Sequence, residues 1–60
     1  MEVRTEDIPK YARFGGREYR LKETHRLKKD AVEAARRERQ KGNWTRITEG
    51  ANGWQLWVKV

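Results

Sequence analysis

Three aromatic residues stand two positions away from a cation on strand-like stretches: Tyr11 from Arg13 in "KYARFGGREYRLK", Trp44 from Arg46 in "NWTRITEG", and Trp57 from Lys59 in "WQLWVKV". Residues two apart on a β-strand share a face. Flat rings stack on nucleobases and cations neutralise phosphates, so a strand face of this composition suits single-stranded nucleic acid. The rings expected to stack are Trp57 first, then Trp44 and Tyr11, with Arg13, Arg20, Lys22, Arg46 and Lys59 toward phosphate. The same strands entering a duplex major groove as a β-ribbon would read base edges with Arg and Gln55.

Other chemistries find little to work with. The chain has no Cys and no Ser, and its single His25 has no second histidine for a metal site. Disulfides, thiolate zinc, Ser- or Cys-based nucleophilic catalysis and a Gly-rich phosphate loop are all missing. His25 lies in "ETHRL" just before a helical stretch and reads as an exposed loop histidine. The expectation is a binding protein and not an enzyme, with no cofactor, no metal and no small-molecule substrate.

Charge points the same way. The 60 residues hold 15 Lys and Arg against 9 Asp and Glu, a net +6. Residues 10 to 41 carry 12 basic and 5 acidic groups, so the positive field belongs to the folded domain and not to a tail. A polyanion, RNA or DNA, is the default partner for such a field. A highly charged solvated surface is the plainer alternative for a chain that is 40% charged. No apolar run approaches the roughly 20 residues of a membrane span, and "MEVRTEDIPK" lacks the hydrophobic stretch of a secretory signal. A soluble cytoplasmic protein without a membrane partner is expected.

The elements that must position these residues follow from local patterns. Residues 1–9 read as a loosely ordered segment and residues 10–60 as a single domain, too small for more than one thin core. Gly15-Gly16 separates two strand-like runs and tolerates the positive φ of a tight hairpin turn. "LKKDAVEAARRERQK", Leu27 to Lys41, is rich in helix formers and is followed by Gly42, a stop residue. Its stripe is Leu27, Ala31, Ala34 and Ala35, with Val32 alongside; Glu38 occupies the next position, where Leu would be expected, marking a domain edge. "GANG" separates two final strands, Asn52-Gly53 being a strong hairpin signal.

The fold class is therefore α+β, order ββαββ, with one helix on one face of a four-stranded, mostly antiparallel sheet. Strand order 1-2-4-3 makes it wholly antiparallel. Pairing across each hairpin sorts Ala12, Phe14, Tyr19 and Leu21 onto one face of the first, and Tyr11, Arg13, Glu18, Arg20 and Lys22 onto the other. The second sorts Thr45, Ile47, Trp54, Leu56, Val58 and Val60 from Trp44, Arg46, Thr48, Gln55, Trp57 and Lys59. With one helix to cover them, the apolar faces are expected together beneath it, Trp54 joining Phe14, Leu56 and Leu27 in the core.

The opposite face would then lie open, with Tyr11, Trp44 and Trp57 among cations and Glu18 its one acid. The helix adds Arg36, Arg37 and Arg39 on its solvent side as a second basic face. The alternative is a homodimer or protein partner at the same open face, since interfaces favour Trp, Tyr and Arg. The stretch from Arg17 to Val60 resembles small basic ββαββ proteins of archaea and archaeal viruses, and its cadence is similar to the βαββ part of SPOR-like domains and to RRM-like sheets. The resemblance implies the fold. It departs from the pattern at Glu38, where Leu is usual, and at Leu27, where Ser or Thr is usual. SPOR domains bind peptidoglycan outside the cytoplasm, and without an export signal that function is not carried over.

Overall fold

The structure, a computed structural model, describes residues 10–51 and 53–60. The segment 1–9, read from the sequence as loosely ordered, lies outside the described residues. The elements are β1 (Tyr11–Phe14), β2 (Arg17–His25), α1 (Lys28–Gln40), β3 (Thr45–Gly50) and β4 (Gly53–Lys59). They form an α+β fold with one four-stranded sheet in the order β1-β2-β4-β3, every neighbouring pair antiparallel.

Both hairpins close over two residues. Phe14 pairs with Arg17 across Gly15 and Gly16, whose φ of 59° and 80° are the two positive values of a type I′ turn. Gly50 pairs with Gly53 at the other hairpin. Gly53 has φ 129°, and a Cβ there would run into the backbone carbonyl oxygen of His25. Only glycine meets both conditions at that site.

Leu27 is the extended N-cap of α1 and makes no side-chain capping bond; its side chain is exposed, not in the core as expected. It precedes the first full turn, so its side chain falls short of the buried stripe. At the other end, Gly42 N–H donates to the Arg39 carbonyl at 2.8 Å and Asn43 N–H to the Glu38 carbonyl at 3.0 Å. With Gly42 at φ 92°, these are the paired bonds of an αL helix stop. The stop folds Asn43 back against the last turn.

The stripe Ala31, Ala34 and Ala35 lies on the sheet over fully buried Leu56, with Ile47 and Val58 packed alongside. Alanine brings the helix close but removes little apolar surface itself. Burying Leu56 contributes roughly 1.5–3 kcal/mol. Trp54 is half-buried on this side, with the Lys28 ammonium 5.3 Å from its ring centroid.

Each hairpin sorts its side chains as alternation requires, but the two are joined the opposite way from that expected. Tyr19 pairs with Lys59 and Leu21 with Trp57, so the apolar face of the first hairpin continues into the Trp57 face of the second. Phe14, Tyr19, Leu21 and Trp57 therefore share the side away from the helix. The register then shifts between Leu21 and Glu23, leaving Lys22 as the extra residue of a bulge. Beyond the bulge the parity inverts: Glu23 pairs with Leu56 and His25 with Trp54, on the helix side.

The helix-free side covers itself. Phe14 packs edge-on against Tyr19 and Trp57, with ring centroids 5.3 and 5.6 Å apart. The Arg46 guanidinium of β3 reaches within 5.3 Å of the Phe14 ring centroid on β1. Since β1 and β3 are the two outer strands, this contact means that the sheet curls its edges together over the Trp57 side. Trp57 is 3% exposed and Tyr19 5%. The molecule thus has two small cores on opposite faces of one sheet.

Candidate nucleic-acid interface

The expected open face is closed at its centre. Trp57 is packed inside its own chain, and its indole N–H donates to Thr48 Oγ1 at 2.8 Å. The Thr48 hydroxyl donates in turn to Gln55 Oε1 at 3.0 Å. Neither the Trp57 ring, the first choice for stacking, nor the bonded oxygen of Gln55 is free for a base. Arg46 is spent over Phe14, although its side chain still reaches solvent.

The remaining candidates are divided between the two sides. Tyr11, Arg13, Arg20 and Lys22 lie on the helix side, by the pairing of Tyr11 with Arg20 and of Arg20 with Val58. Glu18, opposite Arg13, lies there too and not among the Trp57-side cations. The helix packs on β2, β3 and β4 and leaves β1 uncovered, so Tyr11 is 53% exposed beside it. Arg13 points back to its own turn, donating weakly to the Gly16 carbonyl at 3.5 Å. Arg36 and Arg37 are exposed on the helix, while Arg39 donates through Nε to Thr45 Oγ1 at 3.2 Å.

What the structure does bring together is a groove around the C-terminal end of β4. A cleft of about 290 Å³ is lined by Tyr11, Arg20, Lys22, Glu38 and Asn43 on the helix side. A second, of about 570 Å³, is lined by Arg17, Gly42 and Trp44. Both also share Asn43, Lys59 and Val60, which makes them adjoining parts of one surface. Backbone bonds set this end: Lys59 N–H donates to the Trp44 carbonyl at 2.9 Å and Val60 N–H to the Glu18 carbonyl at 3.0 Å. Trp44 is thereby fixed by its backbone while its ring stays 53% exposed.

Arg17 was missed by the sequence reading. Its guanidinium carbon lies 4.3 Å from the Trp44 ring centroid, a cation–π contact that holds a charge beside the exposed ring. The signal was present, because Arg17 is the hairpin partner of Phe14 and so had to share its face. Arg17 opens β2 and Trp44 immediately precedes β3, two strands that are not neighbours in the sheet.

Glu38 is the acid of the groove. It is 6% exposed, against the expectation of a domain-edge position. Asn43 Nδ2 donates to its Oε1 at 2.8 Å, and the Lys22 and Lys41 ammoniums lie 3.5 and 3.6 Å from Oε2. The Asn43 hydrogen bond, aided by the two lysines against the opposing cost of desolvation, holds its pKa below the usual 4.5. Glu38 is therefore a carboxylate at neutral pH.

His25 also departs from its reading. It ends β2 half-buried, with Nε2 2.6 Å from Glu23 Oε1, on the side beyond the bulge. Among the described residues no group of three or more His, Cys, Asp or Glu converges to hold a metal ion. No helix among them is long and apolar enough to cross a membrane. No family model matches the chain, and no curated protein and no solved structure is significantly similar to it.

Proposed function

We propose that the protein binds single-stranded nucleic acid, RNA or single-stranded DNA, in the groove that runs from Tyr11 to Trp44 around the end of β4, and that it does so without catalysis. The observation that carries this reading is the pairing of exposed Trp44 with Arg17 at one end of two adjoining clefts, with exposed Tyr11 at the other. Arg20, Lys22 and Lys59 line the path between the rings. Base stacking on each ring is sequence-tolerant, and cations along the path follow the phosphates. The net charge of +6 supplies long-range attraction. Self-association through the sheet face, the alternative, loses its largest anchor because Trp57 is buried within the chain.

The test is an oligonucleotide titration followed by fluorescence anisotropy of a labelled strand. Trp44→Ala is expected to weaken binding by about 5- to 150-fold, the equivalent of one stacked base at roughly 1–3 kcal/mol. The affinity of the unaltered protein should fall with salt at a slope of about −0.7 per phosphate contacted. Equal affinity of Trp44→Ala and the unaltered protein, or no binding at low salt, overturns the proposal.

A further inference from the structure

A carboxylate is out of place in a groove that serves phosphates alone. Glu38 lies in the cleft beside Arg20 and Lys22, and its charge repels the phosphates they attract. It is also poised to accept. A carboxylate has about four lone-pair positions. Asn43 uses one, at 2.8 Å on Oε1. The Lys22 and Lys41 ammoniums stand 3.5 and 3.6 Å from Oε2, at ion-pair distance and longer than the 2.7–2.9 Å typical of a charge-assisted hydrogen bond, so a closer donor can compete for that oxygen. Tyr11 lines the same cleft with an exposed ring.

From this juxtaposition, and resting on the binding function above, we infer that Glu38 reads the amino edge of a base stacked on Tyr11, so that the groove prefers bases carrying an exocyclic amino group over uracil or thymine. Cytosine presents N4–H₂ as a donor where uracil and thymine present the O4 carbonyl, and carboxylates accept from cytosine N4. An amino group would complete the Oε2 lone pairs, whereas O4 would face the carboxylate charge with no hydrogen between them. The groups around it divide the work, since Asn43, aided by Lys22 and Lys41, keeps Glu38 ionised and placed while Arg20 and Lys59 remain for phosphate.

The experiment compares oligo-C and oligo-U of eight nucleotides at pH 7.5, for the unaltered protein and for Glu38→Gln. Oligo-C is expected to bind the unaltered protein about 10- to 150-fold tighter, the range for one hydrogen bond to a charged group. Glu38→Gln should bring the ratio near one, because its amide can present a donor to O4. A purely structural Glu38 would weaken both ligands alike and leave the ratio intact, which overturns the inference. A third ligand, oligo-C with 2-pyrimidinone replacing each cytosine, removes the amino group without touching the protein. Its affinity should drop to that of oligo-U, and this arm decides the matter even if Glu38→Gln fails to fold. Equal binding of oligo-C and oligo-U by the unaltered protein refutes base reading while leaving the binding function standing; binding of neither refutes both.

Discussion

The two faces of the sheet solve the same burial problem with opposite means. Beneath the helix, small side chains bring a whole element close: Ala31, Ala34 and Ala35 settle on Leu56. On the other side no second element lies among the described residues, and Phe14, Tyr19 and Trp57 cover one another as the strands curl, with Arg46 across Phe14. A large aromatic buries about 150–250 Å², so the helix-free face carries at least as much hydrophobic stabilisation per residue as the helical one. A single thin core does not describe this domain. The comparison also explains why exposed aromatic and cationic side chains gather at the end of the sheet: the curl consumes the middle of the face and leaves Trp44 outside it.

The comparison breaks most sharply at Trp57. Trp57→Ala is expected to cost about 3–5 kcal/mol, and Leu56→Ala about 2–5 kcal/mol, each read by urea denaturation. For a domain of this size either loss consumes most of the stability. Trp44→Ala, by contrast, should cost no more than about 0.5–1 kcal/mol, the worth of its exposed cation–π contact with Arg17. If Trp57→Ala unfolds at the same urea concentration as Trp44→Ala, the helix-free side is not a core and the stacking role returns to Trp57. A smaller loss, roughly 1–3 kcal/mol, is expected for Gly53→Ala. It combines a positive φ with a Cβ directed into the His25 carbonyl, at the point where β2 and β4 run together beyond the bulge. Stability unchanged in Gly53→Ala would mean that this junction is not as tight as the register demands.

Much of this fold was legible because it is set locally. Gly15-Gly16 and Gly42 mark chain reversals by their own conformational needs, and alternation sorted each hairpin correctly onto two faces. Which faces join was not legible. That depends on the register of β2 against β4, where a one-residue shift sends every side chain to the other side, and the bulge at Lys22 has no local signature. The expectation that only a helix can cover an apolar face failed for a physical reason, since a strongly curled sheet brings β1 to β3 and roofs its own rings. Trp44 and Tyr11 were rightly singled out as exposed, but their exposure comes from positions at the sheet's end and on the uncovered edge strand. Glu38 looked like an edge residue because its partners were invisible: Lys22 arrives from the bulge and Asn43 from the helix stop.

The two faces also differ in where acid can act. Glu18, Glu23 and Glu49 are paired across the sheet with Arg13, Leu56 and Trp54, which places them on the helix side, and Glu38 is on the helix itself. The Trp57 side carries Arg17, Arg46 and Lys59 with no acidic neighbour on its strands among the described residues. Because the pKa of Glu38 is lowered on folding, chiefly by Asn43, its ionised form stabilises the fold above the ordinary value of 4.5. That contribution declines once the pH drops below 4.5 and is lost when it passes the depressed folded value. Melting temperatures from pH 7 to pH 3 should therefore place Glu38→Gln below the parent at neutral pH and bring the two together in acid. An Arg46→Ala variant, which removes a cation–π contact of about 0.5–1 kcal/mol from the other face, should instead run parallel to the parent through the same range, because no carboxylate is lost with it. Parallel curves for Glu38→Gln would show that folding does not lower the Glu38 pKa, and that Asn43 and the two lysines do not favour its ionised form.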